Sequence, residues 1–272
     1  MAVTGKPRKL RLAALRCFTI PDVIAKERGQ FDRIFADWID LAVEERNNKH
    51  GPYDQVAVEH QGYDVVDKDE YPQHLDHIDG LIITGSTASA YDDEPWVHKL
   101  SKFIQDIYLN HSNVKIYGGC FGHQIVSQAL LGSRGVRVVP NPKGWEIGVH
   151  RVELNKSFRD RFPGLLRSGN LSYQFLHQDN VSVDQATLPA NWIQVGATPL
   201  CEVQGLFDPG RVLTLQGHPE FDSYINRLST EPLARAKGFS KEQRHHYSQL
   251  IEREDSRQLA GQLVLEFFCH TS

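Results

Sequence analysis

Short, unbroken apolar runs alternating with helical periods constrain this chain more than any other feature. Leu81-Ile82-Ile83 carries no polar residue, the mark of a strand buried on both faces. Leu10–Cys17, Gln55–Val58 and Val114–Tyr117 also read as strands. Between them, Phe31, Ile34, Phe35, Trp38, Ile39 and Ala42 recur at the spacing of one helical face. Trp96, Leu100, Phe103, Ile104, Ile107 and Tyr108 do the same just after Pro95, a residue suited to a first helical turn. Gly122–Leu131 forms a third helix, stopped by Gly132. Strands separated by helices at this interval need right-handed crossovers, and these build a mainly parallel sheet sandwiched by helices. The fold class is therefore α/β.

The middle of the chain changes character. Val136–Val139, Ile147–Leu154, Trp192–Ala197, Leu200–Phe207 and Val212–Leu215 are strand-like with little helix between them, which predicts a small antiparallel extension. Two helical stretches follow, near 240–252 and 255–269. Residues 1–9 are polar around Pro7 and read as a loose tail. With 40% hydrophobic residues in 272, the segment 10–272 can bury one substantial core and is expected to be a single domain.

Charge and cysteine usage narrow the function. A formal net charge of −4 offers no global basic footprint for nucleic acid, so a small-molecule substrate is expected. Arg16 ends the apolar run Leu12–Leu15 after four residues, short of a signal peptide's core of roughly 7–15, and no segment reaches the ~18 apolar residues of a membrane span. A soluble, cytoplasmic protein without membrane contacts is expected. Cys17, Cys120, Cys201 and Cys269 are scattered, which favours neither a disulfide framework nor a zinc site. His74, Asp76, His77 and Asp79 lack a third ligand type of defined spacing and read as an exposed loop, not a metal centre. No Walker loop or dinucleotide fingerprint follows a strand. No cofactor is implied.

The most informative segment is Gly118-Gly119-Cys120-Phe121-Gly122-His123-Gln124, where a buried strand ends and a helix begins. A nucleophile there stands on a sharp turn at the carboxyl edge of the sheet. Glycines at 118, 119 and 122 suit a strained turn with close helix-strand packing. The positive end of the following helix favours a thiolate. A packing cysteine beside structural glycines is the competing reading. Cys17, Cys201 and Cys269 lie in apolar runs without such a turn and read as core.

A thiol nucleophile needs an imidazole partner. Among 13 histidines, His218 has the context: it follows Val212-Leu213-Thr214-Leu215 and stands in Gln216-Gly217-His218-Pro219-Glu220-Phe221. Alternation along an extended segment would put His218 and Glu220 on one side, so that the carboxylate orients the ring while its other nitrogen faces the thiol.

Together these elements give a specific resemblance. The chain is similar to class I glutamine amidotransferases, which share a Gly-x-Cys-x-Gly-x-Gln elbow and a His-Pro-Glu element. Within that family it resembles free-standing members such as plant γ-glutamyl peptidases and fungal GMP-synthase-like amidotransferases. Leu81–Ser86, Asp92-Asp93-Glu94-Pro95-Trp96, His177-Gln178-Asp179 and Gln216–Phe221 support that narrower comparison. The resemblance implies a flavodoxin-like sheet and a Cys120, His218, Glu220 triad. It implies an oxyanion hole from the backbone N–H groups of Gly85 and Phe121, and substrate contacts from Gln124 and, through main-chain groups, from the loop of His177 and Gln178. Gln178 replaces a frequent small residue, and Gly85-Ser86-Thr87 replaces a Gly-Pro-Gly loop. Both departures weigh against strict glutamine specificity. Gly144-Trp145-Glu146 borders the same pocket in the family arrangement, where it would contact a leaving group larger than ammonia; Trp145 reads equally as a packing residue.

The expected function is hydrolysis of a γ-glutamyl amide through a Cys120 thioester. One version trims γ-glutamyl peptides alone; another serves a separate ammonia-accepting enzyme as its glutaminase. The first is preferred, because the chain has no room for a nucleotide-using synthase. A regulatory binding protein without turnover is the alternative of another class. Intact Cys120, His218 and Glu220 weigh against it.

Overall fold

The computed structural model of the chain describes residues 6–51, 53–183 and 188–270. Strands β1 (Arg8–Arg16), β2 (Val56–Asp64), β3 (Gly80–Ile83) and β4 (Lys115–Gly119) alternate with helices α1 (Asp22–Arg28), α2 (Phe31–Lys49), α3 (Pro95–Asn110) and α4 (Phe121–Leu131). β5 (Arg137–Pro140), β6 (Glu146–Leu154), the one-turn α5 (Lys156–Arg159), β7 (Asn170–His177) and β8 (Asp179–Ser182) follow. Four short strands come next: β9 (Ile193–Gln194), β10 (Gly196–Ala197), β11 (Leu206–Asp208) and β12 (Val212–Leu215). Helices α6 (Ser223–Ala236), α7 (Lys241–Ile251) and α8 (Arg257–Cys269) complete the chain.

The main sheet runs β2-β1-β3-β4-β12-β11-β9. Its first five strands are parallel, and β11 and β9 extend it antiparallel. β3, β4 and β12 are buried at every residue, because helices cover both faces. On one face Phe35, Trp38 and Ile39 of α2 pack with Leu263 and Phe267 of α8. On the other, Leu100 and Ile104 of α3 pack with Ile125 and Val126 of α4. Lys115 begins β4 inside this sandwich, and its ammonium donates to the Phe267 carbonyl at 2.6 Å and to that of His270. It thereby caps the end of α8. Burial, with Arg8 nearby, lowers its pKa to about 8. Two small antiparallel sheets, β10-β6-β7 and β5-β8, form the extension. Among the described residues, no helix is long and apolar enough to cross a membrane.

The structure moves several expected boundaries. Arg8 and Lys9, expected in the tail, open β1; residues 1–5 lie outside the described residues. Val212–Leu215, expected in the extension, is the fifth parallel strand of the main sheet, hydrogen-bonded to β4. The run Trp192–Ala197 breaks at Val195 into β9 and β10, which belong to different sheets. Of Leu200–Phe207 only the end is strand. β7 and α6 were not expected at all.

Candidate active site

Register brings the candidate residues together. Ile83 pairs with Gly118, and Gly119 with Leu215, so β3, β4 and β12 end side by side at the carboxyl edge where open α/β sheets place ligands. Gly85, Cys120 and His218 each lie just past one of those ends.

Cys120 has φ 53° and ψ −109°, in a region that residues other than glycine rarely occupy and that costs about 1–3 kcal/mol. Close packing holds it there. A methyl group at Gly122 would sit 2.1 Å from the Ile83 carbonyl oxygen, so α4 can start this close to the sheet only without a side chain. The Cys120 N–H donates to the Leu215 carbonyl at 2.9 Å. Phe121 is the first residue of α4, and a helix's first N–H groups have no acceptor within it. The thiol's neighbourhood is thus lined by a helix start. Cys17 and Cys201, by contrast, are buried thiols pushed up to about 12, and burial raises Cys269 to about 11. These three stay protonated at neutral pH, as core cysteines should.

His218 is buried and hydrogen-bonded through Nδ1 to Glu220 Oε1 at 2.7 Å. Its ring stacks on Phe221 with centroids 4.1 Å apart and 8° between planes, and Phe31 lies 6.4 Å away on a near-parallel plane. Its N–H donates to the Gln174 carbonyl at 2.7 Å, fixing the backbone as well as the ring. Burial works against charge on this imidazole. The nearby Cys120 and Glu220, the latter hydrogen-bonded to the ring, overturn that and hold its pKa up to about 10. Glu220 is fully buried, and its backbone carbonyl accepts from Arg257 at 3.1 Å. The two side chains meet by a turn, closed by the Phe221 N–H on the His218 carbonyl at 3.1 Å, and not by the expected alternation along a strand. Gly85 lies against the same ring: a methyl group there would be 2.6 Å from His218 Cε1.

Gln124 is one helical turn beyond Cys120 and is buried, 3% exposed. Its Nε2 donates to the Asp179 carbonyl at 3.0 Å and to Gln216 Oε1 at 3.3 Å. With both donors engaged, Oε1 remains as an acceptor. The His177 ring turns inward, bonding Glu146 Oε2 and the Asp179 carbonyl, each at 2.9 Å, which leaves its main chain for the pocket contact that the resemblance implies. Gln178 lies on the same loop and is held by its backbone, its carbonyl accepting from the Asn141 N–H at 2.9 Å. Trp145 packs edge-on against Phe239 at 6.0 Å, with the Lys237 ammonium 5.9 Å above its ring. It therefore packs on the turn between α6 and α7.

Sequence reasoning named His177, Glu146 and Asp179 in separate segments without pairing them, and it passed over Thr198 and Gln204. Glu146, Thr198 and Gln204 form one buried polar cluster around His177, and Asp179 ties Ser89, Tyr91 and Gln124 together. Residues far apart in sequence gave no spacing signal for this cluster. Taken together, the geometry offers a thiol on a strained turn, a charged imidazole oriented by a buried carboxylate, and a buried amide one turn away. That set can carry out nucleophilic acyl transfer.

The glutamine amidotransferase class-I family model matches residues 49–231, from the end of α2 to α6. The chain belongs to the class I glutamine amidotransferase family. A glutamine amidotransferase-like protein of Schizosaccharomyces pombe is 37% identical to this family member over 177 residues, 64% of this chain and 66% of that protein. Gamma-glutamyl peptidase 3 of Arabidopsis thaliana is 30% identical over 154 residues, spanning 56% of this chain and 58% of the plant protein. The crystal structure of a glutamine amidotransferase from Thermotoga maritima superposes with a TM-score of 0.64, 19% identity and coverage of 95% of this chain and 98% of that one. At that identity the superposition speaks for the amidotransferase fold, a mainly parallel sheet between helices.

Proposed function

We propose that this chain hydrolyses γ-glutamyl amide bonds, with Cys120 as nucleophile, His218 as acid and base, and Glu220 as the group that orients it. The observation that carries the reading is a Cys120 strained at φ 53° and a buried His218 hydrogen-bonded to Glu220 at 2.7 Å, each just past the end of one of two paired strands. The Cys120 sulfur attacks the γ-carbonyl carbon, and the carbonyl electrons move to oxygen. Backbone N–H groups of Phe121 and Gly85 stabilise that oxyanion, an effect of about 2.7–4 kcal/mol per donor in comparable sites. As the intermediate collapses, the C–N bond breaks and His218 gives its proton to the departing amine. A γ-glutamyl thioester remains. Water then attacks it, losing a proton to His218, and glutamate leaves with the thiol restored.

Substrate choice follows from the leaving-group side. Gln178 and Gly85-Ser86-Thr87 depart from the glutamine-specific pattern, and a γ-glutamyl peptidase is among the relatives. The isolated chain should therefore cleave a γ-glutamyl peptide or thiol adduct at least as well as free glutamine. Assaying both classes for released amine and glutamate tests this. Efficient cleavage of glutamine with inert peptides would replace the trimming enzyme by a glutaminase supplying a separate ammonia-accepting enzyme. Stoichiometric labelling by a glutamine-analogue electrophile with no turnover of any substrate would leave a binding protein.

A further inference from the structure

The buried cluster behind the site contains a second histidine-carboxylate pair, and hydrogen-bond logic fixes its charge. His177 Nδ1 faces the Asp179 carbonyl at 2.9 Å; a carbonyl only accepts, so Nδ1 carries a proton. His177 Nε2 faces Glu146 Oε2 at 2.9 Å. That same oxygen takes a second donor, Gln204 Nε2, at 2.7 Å, and the other carboxylate oxygen takes the Thr198 hydroxyl. A carboxyl group surrounded by donors is ionised, so Nε2 also carries its proton. Burial opposes the charge on Glu146, but the bonds and charge from His177 and the Thr198 bond hold its pKa below the ordinary range. His177 and Glu146 thus face each other inside a set of donors, with side chains 2% and 0% exposed.

A buried ion pair is a poor source of stability, since apolar replacements are often neutral or better. Its placement suggests another use. The Asp179 carbonyl that His177 holds is the one that receives Gln124 Nε2 at 3.0 Å, and this bond leaves Gln124 Oε1 as an acceptor. Asp179 also takes Ser89 Oγ at 2.6 Å and Tyr91 Oη at 3.3 Å. The loop after β3, the nucleophile helix α4 and strand β7 are thus gathered at one residue, and the ion pair fixes its backbone.

We propose that the Glu146–His177 ion pair is a positioning device for the amino-acid end of the substrate, setting Gln124 through the Asp179 carbonyl so that its Oε1 accepts from the substrate's α-ammonium group. This rests on the reading that Cys120 cleaves γ-glutamyl amides. Glu146→Gln keeps the shape and removes the charge. With γ-glutamyl-p-nitroanilide its KM should rise about tenfold while kcat falls by less than about threefold, and the KM for glutaryl-p-nitroanilide, which lacks the α-amino group, should stay put. Thr198→Val, which loosens Glu146 without discharging it, should shift KM the same way by about threefold, and it serves if Glu146→Gln does not fold. Nitrogen NMR of histidine-labelled wild type should show both His177 ring nitrogens protonated at neutral pH, and in Glu146→Gln only one. Equal losses on both anilides, a fall in kcat at constant KM, or a neutral His177 in the wild type would overturn the proposal. If the wild type cleaves neither anilide, the reading of Cys120 fails instead, and the NMR result, which needs no turnover, still decides the charge on the pair.

Discussion

The N–H of Cys120 donates to the carbonyl of Leu215 at 2.9 Å, so the turn that carries the candidate nucleophile is bonded to the strand that leads to the candidate base. The bond continues the pairing of Gly119 with Leu215 one residue past the end of β4. Because Cys120 and His218 leave neighbouring strands, their spacing is set by a sheet ladder and not by loops. A rigid frame of this kind preorganises a site.

That frame stores strain, which two substitutions at one position can expose. Cys120→Ala should lower kcat by at least about 10³-fold, since no other thiol lies on an elbow and a nucleophile removed elsewhere has cost more. Cys120→Gly should be as inactive but more stable than Cys120→Ala by about 1 kcal/mol, because relief of a φ near 53°, about 1–3 kcal/mol, exceeds the entropic penalty of glycine, roughly 0.5–1 kcal/mol. Urea denaturation of the two variants measures the difference. Glycine being the less stable would show that the turn is not strained.

Much of this site was legible before any coordinates, and the limits have physical causes. Continuous burial made β3, β4 and β12 readable as apolar runs, and the glycines about Cys120 announced the elbow. β2 was seen only at its start, because beyond Val58 it is an edge strand with exposed Gln61 and Gly62 that break the alternation. β7 stayed hidden: Gln174 and His177 are polar yet buried, held by bonds to Ile251, Asn226, Glu146 and Asp179 that no local pattern encodes. α6 was missed because half of its buried face is polar, Asn226 and Thr230 beside Ile225 and Ala234. His218 and Glu220 are hydrogen-bonded, but by a turn where the sequence suggested a strand.

The charge on His218 gives a pH dependence with a definite sign. Its pKa stands at about 10, so the ring keeps the proton destined for the leaving amine until the pH approaches that value. The rate kcat/KM for a γ-glutamyl amide should hold through neutral pH and fall as pH rises through about 10. Glu220→Gln removes a negative charge that raises this pKa and leaves only a neutral acceptor for Nδ1. The alkaline limb should then move to lower pH by about one unit. An unmoved limb, or one displaced upward, would mean that Glu220 does not set the charge on the ring.

Thr214 offers a test of the support beneath the elbow. Its hydroxyl takes the Leu206 N–H at 2.9 Å and meets His123 Nδ1 at 2.8 Å, both buried. Burial, helped by the charge on His177, pushes the His123 pKa down to about 3, so this ring is neutral and relies on neutral partners. Thr214→Val fits the space but orphans the Leu206 N–H. A loss of about 1–3 kcal/mol is expected by thermal or urea unfolding; no loss would show that the bonds are not formed in solution.

Two glycines near the site separate catalysis from folding. An added methyl group meets something at both positions, but what it meets differs. At Gly122 the neighbour is the Ile83 carbonyl oxygen, 2.1 Å from the new carbon, and neither β3 nor the first turn of α4 can give way without breaking the ladder that holds Cys120. Gly122→Ala should therefore destabilise the fold by about 1–3 kcal/mol. At Gly85 the neighbour is the His218 ring, 2.6 Å away at Cε1, a side chain that can swing off its bond to Glu220. Gly85→Ala should unfold within about 1 kcal/mol of the wild type and yet lose about 10²-fold in kcat, because a displacement near 1 Å of a catalytic group is enough for that. Calorimetry and kinetics on the same two preparations read both quantities. If Gly85→Ala lost stability and activity in step, as Gly122→Ala should, then Gly85 would be a packing glycine, and His218 would not depend on it for position.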